Sequence, residues 1–416
     1  MLNLDSKPTS CSATITIVGA ALLSLGMVMV FSASASLTAP PILQEPLKNS
    51  AVRQAAFSGI GMVTLLLVSL CPYDAWRIRR GTWWQPSVFM LIAVVGLLVA
   101  VLIPGIGEER NGARRWLSLG PSSLGLGFQP SEVAKVGIII FLSGVCARMG
   151  DRVRKFWTGL LPLLFIVAIV GALIGKEDLG TAALVVAVGG CILLAAGARW
   201  WHLGLLAIPI VAGLVYLLTA EQYRMDRLLA FRNPELDAQG KSYQPMQSLI
   251  TIASGGWWGL GLGGGVQKYG YLPEGRSDFI FSVICEELGI IGGLAVIGLF
   301  AVLIWQGRKA VAIAPTPFGR LIAFGVTILI GLQAAMNVAV VTVSMPTKGI
   351  GLPLVSAGGS GVLFYSFLLG LMANTARYRS VSGAEGRVET GGIFAATQNS
   401  APSIPLSGLA GASTTQ

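Results

Sequence analysis

Asp278-Phe-Ile-Phe-Ser-Val-Ile-Cys-Glu-Glu-Leu-Gly-Ile-Ile-Gly-Gly-Leu-Ala-Val-Ile-Gly-Leu-Phe-Ala-Val-Leu-Ile-Trp305 is apolar over a length that can cross a lipid bilayer as one helix, for which about 20 residues suffice. A polar segment, Tyr271-Leu-Pro-Glu-Gly-Arg-Ser277, leads into it, so Asp278 is predicted to hold a carboxylate at a membrane boundary. Ionisable groups there cost a few kcal/mol by insertion scales and mark candidate functional sites. Capping of the following helix is the alternative role for this acid.

The same pattern recurs from Thr14 to Ala376. Ten spans are predicted: 14–36, 51–70, 86–104, 131–148, 157–175, 179–198, 203–220, 278–305, 319–344 and 354–376. The 416 residues are 54% hydrophobic and 12% charged, with a mean hydropathy of +0.73. That composition places the chain among all-α polytopic membrane proteins. The first span does not read as a cleavable signal, because only Lys7 precedes it and no clean cleavage pattern follows Ser36. Arg77, Arg79, Arg80, Arg148, Arg152, Arg154, Lys155, Arg199, Arg308, Lys309, Arg320, Arg377 and Arg379 fall on one side of this arrangement. By the positive-inside rule that side, with both termini, is cytoplasmic. The domain plan is a cytoplasmic N-terminus (1–13), a membrane domain (14–378) with a large extracytoplasmic loop between helices seven and eight (221–277), and a cytoplasmic tail (379–416). Rich in Gly, Ser, Thr and Ala, the tail is predicted to be disordered. The net charge of +10 is dispersed among hydrophobic spans, which argues against nucleic acid as a partner. Five scattered cysteines and the single His202 give no disulfide framework, zinc site or histidine cluster.

Basic residues on the outer side run against the topology bias. Arg110, Arg114 and Arg115 lie in the three–four loop, Arg224, Arg227, Arg232, Lys241, Lys268 and Arg276 in the seven–eight loop, and Lys348 in the nine–ten loop. Guanidinium groups bind phosphate in bidentate fashion, so an anionic headgroup at the membrane surface is the simplest common partner; pairing with nearby acids is the alternative. Glu132 and Lys135 open the fourth span three residues apart, on one helix face. Lys176, Glu177 and Asp178 occupy a short link before Gly180 and Thr181, where capping of span six competes with ligand binding. Tyr243–Ala253 reads as a short amphipathic helix at the interface. The glycines that follow it, 255–265, would let backbone approach a ligand or form a flexible lid. They lack the Lys-Ser/Thr ending of a phosphate loop, so no nucleotide is implied. Trp257 and Trp258 read as interface anchors. Met345–Ser360, with its prolines and glycines, interrupts helix at membrane depth, which is tolerated only against protein or a water-lined cavity. The charges gather at span ends rather than mid-span and no internal repeat is visible, which fits a surface enzyme better than a secondary transporter.

In order along the chain, Gly112-Ala-Arg-Arg-Trp116, Phe128-Gln-Pro-Ser-Glu-Val-Ala-Lys135, Asp178-Leu-Gly-Thr181, Tyr243-Gln with Gln247-Ser248, Gln267-Lys268, Leu272-Pro-Glu, Asp278-Phe-Ile-Phe, Glu286-Glu-Leu-Gly289, Pro346-Thr-Lys-Gly349 and Leu352-Pro-Leu-Val-Ser356 resemble the SEDS family of shape, elongation, division and sporulation proteins. Met345-Pro-Thr-Lys-Gly and Arg232-Asn-Pro resemble the cell-division, FtsW-type branch more than the elongation, RodA-type branch. The resemblance implies a peptidoglycan glycosyltransferase that polymerises lipid II during septal synthesis in the bacterial cytoplasmic membrane and releases polyprenyl pyrophosphate. It implies that Asp278 is the essential catalytic aspartate and that Arg114, Arg115, Glu132, Lys135, Asp178 and Lys348 bind substrate. Gln247, Lys268, Glu274, Arg276 and Ser356 fall in or beside matching strings and join the substrate-binding candidates. A divalent cation, Mg²⁺ or Mn²⁺, is compatible with the resemblance, with Asp278 as a ligand or as the base. The implied partners are lipid II, a lipid-linked nascent glycan, a class B penicillin-binding transpeptidase and other division proteins. The family's usual Ser-Tyr-Gly-Gly-Ser-Ser reads Ser356-Ala-Gly-Gly-Ser-Gly361 here. A lipid-linked precursor flippase and an inactive division scaffold stay open as other readings.

Overall fold

The computed structural model describes residues 9–34, 49–78, 85–110, 113–118, 127–202, 242–266 and 269–377, with a few single positions between. Most of span 203–220, most of the outer loop up to residue 241, Gln267, Lys268 and the tail 379–416 lie outside the described residues. The helices are α1 (Ser10–Ser34), α2 (Ser50–Leu70), α3 (Pro86–Leu102), α4 (Pro130–Met149), α5 (Leu161–Gly175), α6 (Leu179–Ala195), α7 (Tyr243–Gly255), α8 (Ile280–Ile313), α9 (Pro317–Val341) and α10 (Gly359–Thr375). Among the described residues, six helical stretches, beginning at Ser10, Ser50, Pro130, Phe156, Ile280 and Pro317, are long and apolar enough to cross a membrane. Helices α3, α6 and α10 are apolar but shorter.

Close helix packing rests on small residues, as is usual where lipid removes the hydrophobic drive for association. A side chain at Gly370 of α10 would meet the Leu65 carbonyl of α2 at 2.9 Å, and one at Gly26 of α1 would meet the Val355 backbone at 2.7 Å. Helix α9 packs against α4, α6, α8 and α10, so its polar residues are surrounded by protein.

Three expectations need correction. Helix α8 is broken at Gly289 (φ 73°, ψ −179°) and runs on to Ile313 rather than ending at 305, so Arg308 and Lys309 fall within it; they lie over the Trp305 ring at 4.3 and 5.7 Å. Helix α10 begins at Gly359 rather than 354, because Pro353 and Leu354 (φ 65°) hold the preceding chain in a non-helical strap. The three–four loop is partly folded as a small antiparallel sheet of β1 (Gly107–Arg110), β2 (Ala113–Ser118) and β3 (Gly127–Phe128), in the order β1-β2-β3.

Helix α7 falls where an interfacial helix was expected, but its orientation differs from a simple amphipathic reading. Ser248 is buried and shares hydrogen bonds with Ser282 Oγ and the Val341 carbonyl, both at 2.7 Å, while Leu249 and Ile250 are exposed. Small polar groups face the protein because their hydrogen bonds can be satisfied there.

The glycine-rich segment after α7 closes on the break in α8. The Leu260 and Gly261 N–H groups donate to the Glu286 and Glu287 carbonyls at 2.9 and 3.0 Å, and the Ile290 N–H donates to the Gly256 carbonyl at 3.0 Å. A Cβ at Gly255, Gly259 or Gly289 would overlap the facing backbone. Gly255, Gly259 and Gly289 therefore serve backbone-to-backbone contact. Trp257 and Trp258 point outward, 66% and 83% exposed.

Candidate active site

A cavity of about 840 Å³ lies where β2, the start of α4, the link before α6, the approach to α8 and the strap 347–358 converge. Asp278, Arg115, Lys135, Lys176 and Lys348 line it, with Glu132, Glu177, Glu274 and Ser356. Asp278, at the mouth of a spanning helix, thus shares a chamber with four cations and three other carboxylates.

Asp278 does not cap α8: the cap residue is Phe279, which makes no side-chain cap bond. A Cβ on Gly349 would lie 3.2 Å from Asp278 Oδ2 and 3.7 Å from Arg115 Nη1, so the acid and the guanidinium flank the same point of the strap.

Arg115 and Arg114 are adjacent on β2, and side chains alternate faces along a strand. Arg115 turns to the cavity, donating from Nε and Nη2 to the Glu177 carbonyl at 3.0 and 2.6 Å, with Nη1 3.7 Å from Asp178 Oδ2. Arg114 turns away: its side chain sits 3.4 Å from Glu109, and only its backbone N–H reaches back, to Glu177 Oε2 at 2.9 Å. Asp178 lies buried behind the wall as the cap of α6, accepting from the Thr181 N–H at 3.1 Å and its hydroxyl at 3.0 Å. Capping and cation pairing coexist in this residue.

Glu132 and Lys135 pair at 2.7 Å, as their spacing allows. Lys135 is 4% exposed and also donates to Gln333 Oε1 at 3.0 Å and to the Tyr365 hydroxyl at 3.2 Å. A buried ammonium at membrane depth demands such partners. Tyr365 also donates to Gln333 Oε1. Neither Gln333 nor Tyr365 carries a sequence signal, since each is one polar residue in an apolar span.

The remaining candidates separate. Ser356 is structural within the wall: its hydroxyl donates to the Ser277 carbonyl and accepts the Leu352 N–H, both at 2.6 Å. The Glu274 carboxylate accepts from Ser277 Oγ at 2.6 Å on the cavity edge. Arg276 turns outward to Ser50 Oγ at 3.1 Å and is not on the wall. Gln247 is not on the wall either; Gln244, one helical turn earlier, is. Lys268 lies outside the described residues. Among the described residues no group of three acidic, histidine or cysteine side chains forms a metal cage.

The family model for cell cycle proteins of the FtsW, RodA and SpoVE type matches residues 12–381. The chain belongs to this family. It is 39% identical over 378 residues to the probable peptidoglycan glycosyltransferase FtsW of Halomonas elongata, an alignment covering 89% of this chain and 91% of that one. It is 37% identical over 381 residues to the stage V sporulation protein E of Bacillus subtilis, covering 90% and 99%. Among solved structures, a chain of a peptidoglycan synthase complex superposes with a TM-score of 0.68 at 25% identity, covering 87% of this chain and 96% of that one. The rod shape determining protein RodA of Thermus thermophilus superposes at 0.59, also at 25% identity, covering 88% and 97%. The fold of this family member is therefore RodA-like.

Proposed function

We propose that this family member is a peptidoglycan glycosyltransferase that polymerises lipid II at the outer face of the bacterial cytoplasmic membrane, in septal wall synthesis. The observation that carries the reading is the shared chamber of Asp278 with Arg115, Lys135, Lys176 and Lys348. The names borne by relatives across most of the chain's length support it.

Chain growth joins two lipid-linked sugars. The acceptor's 4-hydroxyl oxygen attacks the donor's anomeric carbon, the carbon–oxygen bond to the lipid pyrophosphate breaks, and the hydroxyl proton passes to the Asp278 carboxylate. A positioned base contributes roughly 10² to 10⁴-fold. Attack with inversion needs that base on the face opposite the leaving group. The pyrophosphate leaves as an anion, so it needs positive charge rather than a protonating acid; Arg115, Lys176 and Lys348 supply it as preorganised cations. Lys135, held by Glu132 and Gln333, adds a fixed charge deeper in the wall. Departure of pyrophosphate drives the step, and no nucleotide takes part. A divalent ion, Mg²⁺ or Mn²⁺, would be held by the Asp278 carboxylate, since Mg²⁺ takes one or two carboxylates with substrate phosphates. It would neutralise leaving-group charge.

The same reading includes ten spans with both termini cytoplasmic, a membrane domain from 14 to 378, and 221–277 as an outer loop. It also includes a class B penicillin-binding transpeptidase as partner, which the likeness to a peptidoglycan synthase complex supports.

The test is polymerisation of lipid II by purified wild type, Asp278→Ala and Asp278→Asn, each with and without that transpeptidase. Wild type should form glycan polymer and both variants should lose it by about 10²-fold or more. Substantial polymer from either variant removes Asp278 from its role. Headgroup translocation in proteoliposomes without polymer from wild type would make the chain a flippase instead.

A further inference from the structure

The chemistry assigned to Asp278 and Lys348 needs their separation to be fixed, yet both sit on irregular backbone. Residue 278 precedes the first helical residue of α8, and residue 348 lies in the strap between α9 and α10. The first turn of α8 does not hold Asp278 in place: the Ser282 N–H, which would ordinarily serve the Asp278 carbonyl, donates to Phe279 at 3.0 Å. The strap is locally a tight turn, in which the Ile350 N–H donates to the Lys348 carbonyl at 3.0 Å.

Asn337, fully buried on α9, spans this gap. Its Nδ2 donates to the Asp278 carbonyl and to the Ile350 carbonyl, each at 2.8 Å. Both amide hydrogens are thereby used, and two carbonyl acceptors fix which end of the amide faces them. One turn earlier on the same face, Gln333 Nε2 donates to the Gly351 carbonyl at 2.8 Å while its Oε1 accepts from Lys135. The amide pair thus ties backbone on both sides of the chamber to one rigid helix.

We infer that Asn337 is a positioning residue of the transferase reaction: it sets the Asp278 backbone against the turn carrying Lys348, with Gln333 extending the clamp to Lys135. The inference rests on the glycosyltransferase reading. Ser356 adds a second tie, its hydroxyl donating to the Ser277 carbonyl and accepting the Leu352 N–H, but it sits on the strap itself, whereas Asn337 reaches both segments from a helix. Asparagine is suited to this because a single nitrogen donates twice; aspartate of the same size would present oxygen to both carbonyls, and alanine would leave both buried and unsatisfied.

A same-type control lies at the other end of α10. Asn374 is equally buried, accepts the Tyr73 N–H at 3.0 Å and donates to the Ser69 carbonyl at 2.8 Å, far from the cavity wall. The experiment compares full-length Asn337→Ala, Asn337→Asp and Asn374→Ala with wild type, using lipid II with the class B transpeptidase present and normalising rates to folded protein. For both Asn337 variants, kcat should fall about 10 to 100-fold with KM for lipid II within about threefold, as expected for misplacement of reacting groups on the order of 1 Å. Asn374→Ala should lower Tm while keeping kcat per folded molecule within about twofold. The near-isosteric Asn337→Asp carries the test if the alanine variant is not recovered folded. Wild-type kcat in the Asn337 variants, or an equal loss in Asn374→Ala, overturns the inference. No polymer from wild type overturns the glycosyltransferase reading instead.

Discussion

Two glycine-rich, irregular segments flank the start and the break of α8, and they do opposite work. The segment 255–265 gives its backbone to other backbone: its N–H and carbonyl groups complete the hydrogen bonds that the break at Gly289 interrupts. The strap 347–358 gives its backbone to side chains: Asn337, Gln333 and Ser356 hold its carbonyl and N–H groups and leave Lys348 and Gly349 facing the chamber. Glycine density alone therefore does not mark a ligand loop. What matters is whether the bonding partners consume the segment or suspend it over a cavity.

This contrast can be broken most decisively at Gly289. Alanine there would overlap the Trp257 carbonyl and adopt a strained backbone at φ 73°. The expected cost is on the order of 3 kcal/mol or more, read as a large fall in Tm and in recovered folded protein. Stable Gly289→Ala protein would show that the two backbones do not interlock. Lys348→Ala should have the next effect, on chemistry alone: kcat/KM for lipid II falling about 10²-fold, as for loss of a group that stabilises developing charge, with Tm within about 2 °C of wild type. A fall in Tm large enough to account for the loss would make Lys348 part of the strap's scaffold. Trp258→Ala should do least. With its ring outside the chamber, turnover in detergent should stay within about twofold, and a greater loss would bring the glycine segment into substrate binding.

Most of the apolar architecture was legible because a spanning helix announces itself by length and hydropathy alone. The starts of α2, α3, α4 and α6 fall within a residue of expectation, since each coincides with an Asn, Pro or Asp at a composition change. Ends were harder to place. The non-helical backbone at Val343 and Leu354 looks apolar in sequence and reads as span. For the site, the outer charges pointed to loops that line the chamber, but not to which of two neighbouring side chains faces it. Arg114 and Arg115 are indistinguishable until β2 sorts them onto opposite faces. Gln333, Asn337 and Tyr365 were missed because a buried polar residue acquires meaning only from the carbonyl or ammonium it meets, and those partners come from remote parts of the chain.

Gly349 occupies a position from which a methyl group would press on the candidate base and approach Arg115 at the same time. The gap between a negative and a positive group is thus kept open by a missing atom rather than by a rigid spacer. The spacing of the two charges is built into the backbone, and Gly349→Ala would test it without altering either charged side chain.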